Sequence, residues 1–128
     1  MTKNLCVLYV EDEQDIRDVA EFALEDEGFE LNSFGSGQEA LDNAQSLKPD
    51  LLLLDVMLPG MDGPTTLSKL RTIPGYENIP TIFMTAKVQP QEVIELKALG
   101  ALDVIAKPFD PITLADDIHA ILDNACDQ

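Results

Sequence analysis

Positive charge is what this chain has least of. Eight Lys and Arg stand against 24 Asp and Glu, with one His, for a formal net charge of −16 at pH 7. A surface of that sign repels nucleic acid and anionic membranes, so no direct contact with DNA or with a membrane is expected. Two reasons for the acidity, solubility and an acidic site for a cation, can coexist. Cysteine is also scarce. Cys6 lies within an apolar run and Cys126 near the end. The pair reads as a buried small hydrophobe and a tail residue, not as a disulfide framework. The Cys and His spacing does not fit zinc. No apolar run approaches the ~20 residues needed to span a bilayer. Met1-Thr2-Lys3-Asn4 leads straight into a strand-like segment without a signal-peptide layout, and the expected location is cytoplasmic. Repeats, low-complexity stretches and linkers are missing. So are a Walker loop, a dinucleotide fingerprint and a Ser/His/Asp order.

What remains is an ordinary globular balance. The 128 residues, 45% hydrophobic and 25% charged, suit one domain over 1–128 with its core at about 5–122. Leu5 to Val10 is a continuous apolar strand. Ile16, Val19, Ala20, Ala23 and Leu24 follow at helical spacing, and Gly28 stops that helix. Phe29 to Phe34 alternates weakly, as an edge strand does. Ser36 with Glu39 is a capping-box signal opening a helix with Ala40, Leu41, Ala44 and Leu47 inward. Leu51 to Leu54 is a third strand. Pro64 fits the first turn of a short helix carrying Leu67 and Leu70. Thr81 to Met84 is a fourth strand, closed by Thr85-Ala86. Pro90 opens a helix with Val93, Ile94, Leu96 and Leu99, ended by Gly100. Leu102 to Ala106 is a fifth strand. A last helix after Asp110-Pro111 places Leu114, Ile118, Ile121, Leu122 and Ala125 on one face, with His119 solvated between them.

Five strand–helix units in strict alternation imply an α/β fold, a parallel sheet covered by five helices. The first, third and fourth strands are apolar throughout, as central strands are, and the second and fifth are mixed, as edges are. That pattern fits a five-stranded doubly wound, flavodoxin-like sheet in the order 2-1-3-4-5. Its switch point lies between the first and third strands, and ligands bind outside the carboxyl ends of the strands there.

Asp55 closes the run of four leucines and falls at that point, as do Glu11 and Asp12. Singly, each could be a helix cap or a strand stop. Together they form an oxygen-rich cluster that suits Mg2+, which keeps several waters and often shares a phosphate oxygen. Thr85 closes the fourth strand and Lys107 the fifth. An ammonium and a hydroxyl beside a cation and a carboxylate can bind a phosphoryl group, Lys by charge and Thr by a hydrogen bond. Asp55 then has the role of nucleophile, forming an acyl phosphate.

The stretches Val10-Glu11-Asp12-Glu13, Asp55-Val56-Met57-Leu58-Pro59-Gly60-Met61-Asp62-Gly63, Thr85-Ala86 and Lys107-Pro108-Phe109 resemble those of a response-regulator receiver domain, in the family's order. The build is similar to the single-domain chemotaxis regulators. The resemblance implies a switch that gains and loses its own phosphoryl group rather than a turnover enzyme. By it, Asp55 accepts phosphoryl from a histidine kinase or phosphotransfer protein and alters binding to a downstream protein target. Asp12, Asp55 and the Met57 carbonyl hold Mg2+, and Glu11 does so through water. Thr85 and Lys107 contact the phosphoryl group, Ala86 is the small residue after Thr85, and Lys107-Pro108 is cis. Met57 and Lys87 flank the attacking water.

Three departures stand out. The first acid is Glu11 where the family often has Asp, a mild change. Val104 occupies the position of the switch aromatic, which puts rotating-ring coupling in question. Asp117 stands where receivers that dimerise through the last helix carry a basic residue, so a monomer is expected. Two other readings compete. A receiver-fold docking module indifferent to phosphate is opposed by the complete Asp-Thr-Lys set. A haloacid-dehalogenase-type phosphatase places its nucleophile on the first strand with a second Asp two residues later, whereas Asp55 ends the third and is followed by Val56-Met57.

Overall fold

The computed structural model describes residues 5–86 and 88–126. The expectations for Met1-Thr2-Lys3-Asn4, for Lys87 and for the side chains of Ala125 and Cys126 lie outside what it describes. Five strands alternate with five helices: β1 (Leu5–Val10), α1 (Gln14–Glu25), β2 (Phe29–Phe34), α2 (Gly37–Ala44), β3 (Leu51–Asp55), α3 (Gly63–Leu70), β4 (Thr81–Thr85), α4 (Pro90–Ala98), β5 (Asp103–Ala106) and α5 (Leu114–Cys126). Every strand pair is parallel and the order is β2-β1-β3-β4-β5, as the apolar and mixed strands imply. Among the described residues no helix is long and apolar enough to cross a membrane.

Strand alternation divides the core in two. Val7, Tyr9, Leu51, Leu53, Ile82, Met84 and Ile105 face one way, against Ala20 and Leu24 of α1 and Leu114 and Ile118 of α5. Leu8, Val10, Leu52, Leu54 and Phe83 face the other, against Ala40, Ala44, Leu67, Leu70 and Leu96. All four leucines of β3 are fully buried, each worth about 1.5–3 kcal/mol of transfer free energy. A strand covered on both faces has no polar position to offer until it ends, and β3 ends at Asp55.

The helix starts follow the sequence signals. The Ser36 hydroxyl accepts a bond from the Glu39 N–H at 3.1 Å. The Glu39 carboxylate reaches back to the N–H of Gly35 at 3.1 Å rather than to Ser36, a displaced form of the reciprocal box. Asp62 caps α3 by accepting from the Thr65 N–H at 2.9 Å, so Asp55 is spared that duty. Gly28 and Gly100 carry positive φ where α1 and α4 give way to the next strand.

Three expectations change. On α4 only Leu96 is buried, while Ile94 and Leu99 are 61% and 54% exposed. That helix packs against the edge strand β5, which offers one strand's width of surface to cover. Cys6 is half-buried, not buried, and its sulfur accepts a hydrogen bond from the Asn32 amide at 3.3 Å. β5 begins at Asp103, although the Leu102 N–H already bonds the Thr81 carbonyl at 2.8 Å. His119 is exposed, as expected, and also rests its ring on Phe29 with centroids 5.0 Å apart.

Gly63 brings the chain back to the end of β3. Its N–H bonds the Val56 carbonyl at 3.0 Å, and an added Cβ would run into the Asp55 carbonyl oxygen. Backbone cannot rotate away as a side chain can. Gly63→Ala is therefore expected to destabilise the protein by about 1–3 kcal/mol in chemical denaturation. A loss within the error of the measurement would contradict this close approach.

Candidate functional site

The alternation that buries β1, β3 and β5 also aims their ends. Glu11 follows Val7 and Tyr9, Asp55 follows Leu51 and Leu53, and Lys107 follows Ile105, so all three arrive on the α1/α5 side of the sheet. Lys107 Nζ lies 2.8 Å from Glu11 Oε1 and 2.8 Å from Asp55 Oδ2. One ammonium from the end of β5 thus joins two buried carboxylates from the neighbouring strands β1 and β3.

The remaining oxygens of these acids are held by backbone. Glu11 Oε2 accepts from the Glu13 N–H at 3.2 Å, and Asp55 Oδ1 from the Met57 N–H at 3.3 Å. Neither Glu11 nor Asp12 caps α1. The N-cap is Glu13, and its side chain makes no cap bond. Asp12 is exposed beside the buried pair, and oxygens of Glu11, Asp12 and Asp55 all lie within 4.8 Å of one another.

The other expected residues sit at the same edge. Thr85 ends β4, is buried, and its carbonyl accepts the Lys107 N–H at 2.9 Å. Ala86 is exposed next to it. Met57 is exposed in the loop after β3, and the Lys107-Pro108 peptide is cis. Val104 is half-buried against the α3/α4 cluster.

Two features of the site had no sequence signal. Arg17 donates from its guanidinium to the Glu11 carbonyl at 2.6 Å, fastening α1 to the end of β1. Its place one turn into α1 looks like an ordinary solvated face. Tyr9, fully buried on the same face two residues before Glu11, has a hydroxyl without a partner among the described residues.

Burial shifts the charges here. It pushes the Glu11 carboxyl above its usual value, against the bonds from Lys107 and the Glu13 N–H that pull it down. Burial also draws the Lys107 ammonium down, but the bonds to Asp55 and Glu11 outweigh it and leave it above the ordinary lysine value. Tyr9 is raised by burial and then by Glu11 and Asp55. Three carboxylates and one ammonium leave an excess of negative charge on an all-oxygen donor set. That is the chemistry of a hard divalent cation.

Comparison with known proteins gives a consistent result. The profile of the family described as Response regulator receiver domain matches residues 7–119. The transcriptional regulatory protein CseB of Streptomyces coelicolor is 38% identical over 116 residues, covering 91% of this chain and 48% of that protein. The phosphate regulon transcriptional regulatory protein PhoB of Rhizobium meliloti is 38% identical over 119 residues, covering 93% and 52%. The chain thus spans about half the length of these curated relatives. Among solved structures, the chemotaxis response regulator CheY4 of Vibrio cholerae superposes with a TM-score of 0.87 at 32% identity, covering 93% of this chain and 99% of that one. A response regulator from Chloroflexus aurantiacus does so at 0.84 and 34%, covering 94% and 99%.

The raised Glu11 carboxyl carries a pH consequence. A carboxyl raised in the folded state binds its proton more readily there than in the unfolded chain. Its contribution to stability is therefore largest at low pH and is lost as pH rises from the ordinary carboxylate value through the raised one. Lys107→Ala removes the ammonium that holds Glu11 down, so the loss should steepen, by about 1.4 kcal/mol for each further tenfold gain in proton affinity. Urea unfolding at about pH 5 and about pH 7.5 reads it. Equal pH slopes in the variant and the wild type would show that Lys107 does not hold the Glu11 charge.

Proposed function

The chain belongs to the family of response regulator receiver domains, and on that premise we propose that Asp55 is its phosphoryl acceptor and Lys107 and Thr85 the groups that receive the phosphoryl oxygens. The observation that carries this is the pairing of Lys107 with Asp55 at 2.8 Å inside a cluster of three carboxylates. Receiver domains work with histidine kinases and downstream targets as signalling switches rather than as turnover enzymes. Here the donor is a phosphohistidine on a kinase or a phosphotransfer protein. A carboxylate oxygen of Asp55 attacks the phosphorus. The P–O bond forms as the P–N bond breaks, and the imidazole leaves with the electron pair and takes up a proton.

Asp12, Asp55 and the Met57 carbonyl are the groups that would hold Mg2+, with Glu11 acting through water. When bound, the ion neutralises phosphoryl charge. Lys107 is already within reach of the acceptor, so it needs only to exchange a carboxylate oxygen for a phosphoryl oxygen. Ala86, small and beside Thr85, leaves the phosphoryl group room.

The signal leaves through a protein surface. The net charge of −16 supports a domain that does not itself hold nucleic acid, and a cytoplasmic place fits a partner kinase of the family's kind. Asp116, Asp117 and Asp123 are exposed on α5. Two such faces repel, which supports a domain that stays monomeric when phosphorylated. Val104 is short and stiff, so the change passes through the backbone after Thr85 rather than through a swinging ring.

The test is phosphoryl uptake from a small acyl-phosphate donor, read by intact mass. The wild type should gain one phosphate, and only with a divalent metal. Asp55→Asn should gain none while keeping its fold by circular dichroism. Equal labelling of the variant would move the acceptor elsewhere.

A further inference from the structure

Two acids of the cluster are fixed through their own side chains and one is not. Glu11 and Asp55 are buried and bonded to Lys107. Asp12 is exposed, and among the described residues no bond holds its side chain. Its carboxylate nevertheless lies with the other two, oxygens of all three within 4.8 Å of one another. Its position is therefore set through the backbone. The start of α1 does little for it, because the Glu13 side chain makes no cap bond. Arg17 does more. Its guanidinium donates from Nη1 to the Glu11 carbonyl at 2.6 Å and from Nη2 to Gln14 Oε1 at 3.0 Å. The Glu11 carbonyl and the Asp12 N–H belong to one planar peptide. A grip on that oxygen fixes the plane, and with it the direction in which the Asp12 side chain leaves the backbone. The peptide before it is fixed as well, by the bond of the Glu11 N–H to the Phe34 carbonyl at 3.0 Å. The guanidinium is itself seated on the turn after β2, where a Cβ on Gly35 would come within 3.2 Å of Nη1.

We propose that Arg17 is a positioning residue for the cation site: by holding the peptide between Glu11 and Asp12, it sets the Asp12 carboxylate where a divalent cation meets it. The inference rests on the reading of Asp55 as a metal-assisted acceptor and deepens it, by naming what orders the one acid that no side-chain bond orders. The sign of the charge makes this role distinctive. Arg17 lies close enough for its charge to act on Tyr9, opposing that of Glu11 and Asp55. As a bare positive charge it repels Mg2+, and its removal would tighten cation binding. As a holder of the peptide it favours Mg2+, and its removal weakens binding. The two roles predict opposite changes in one measured quantity.

Two measurements decide it, one of them without metal. Arg17→Met keeps an unbranched side chain that suits a helix and removes both the charge and the donors. Titration calorimetry should show its Mg2+ affinity lower than that of the wild type by about tenfold, the scale of one charge-assisted hydrogen bond. Half-maximal labelling by an acyl-phosphate donor should need correspondingly more Mg2+. In the metal-free proteins, nuclear magnetic resonance should show the Glu11 carbonyl carbon and the Asp12 amide shifted in Arg17→Met. The signals of Leu52, on the other face of the sheet, should stay in place.

A Mg2+ affinity that rises in Arg17→Met overturns the proposal, because Arg17 would then act on the site only as a charge. An unchanged affinity overturns it too, as do unmoved Glu11 and Asp12 signals. If Arg17→Met fails to fold, Arg17→Gln carries the test. It lacks the charge and the reach, so its Mg2+ affinity should also fall, and a wild-type or higher value overturns the proposal. Labelling of the wild type at a residue other than Asp55 would count against Asp55 as acceptor. The Mg2+ titration would still decide the role of Arg17.

Discussion

One ammonium between two buried carboxylates sets the terms for the rest of the structure. Glu11 and Asp55 are almost wholly out of solvent, where an unpaired charge costs several kcal/mol. Lys107 compensates both at 2.8 Å. The compensation is incomplete, since Asp12 adds a third negative charge within 4.8 Å. A site left with such an excess is unstable toward protonation and receptive to a cation or to anything that rearranges the ammonium. The second property is the one a phosphoryl-triggered switch requires, since an acceptor carboxylate must be unprotonated to attack.

The fold exists in part to hold that imbalance. β1, β3 and β4 are buried on both faces, so each can carry polar chemistry only at its end. Parallel pairing lines those ends up along one edge. The register of Val10 with Leu54 and of Asp55 with Met84 sets where β1, β3 and β4 stop relative to each other. Backbone bonds then lock the loops beyond: the Val56 N–H to the Met84 carbonyl at 2.9 Å, and the Lys107 N–H to the Thr85 carbonyl at 2.9 Å. At the far edge Arg71 does the bracing, donating to the Tyr76 and Ile79 carbonyls at 2.8 and 2.7 Å. Burial lowers the affinity of that guanidinium for its proton.

Much of this was legible in the residues. Leu51 to Leu54 followed by Asp55 announces a central strand with a carboxylate at its carboxyl end. Strict alternation of strands and helices implies a parallel sheet, and apolar first, third and fourth strands beside mixed second and fifth ones yield its order. What the residues hid follows from range. The Glu11–Lys107 contact joins positions 96 apart, and no local pattern announces it. Arg17 is one of several polar residues on α1, and only its bond to the Glu11 carbonyl separates it from them. The apolar residues of α4 have helical spacing, but spacing does not say how few of them the edge strand covers, and Ile94 and Leu99 stay exposed.

The clustered carboxylates of Glu11, Asp12 and Asp55 have the donor set of a cation site rather than of a merely acidic surface. The melting temperature of the metal-free protein across increasing Mg2+ tests it most directly, with Asp12→Ala as the comparison. A ligand bound only by the folded state stabilises it in a concentration-dependent way. A cation site at these residues gives a rise in the wild type that continues with concentration and disappears in Asp12→Ala. A wild-type melting temperature indifferent to Mg2+, or the same rise in both proteins, would contradict it.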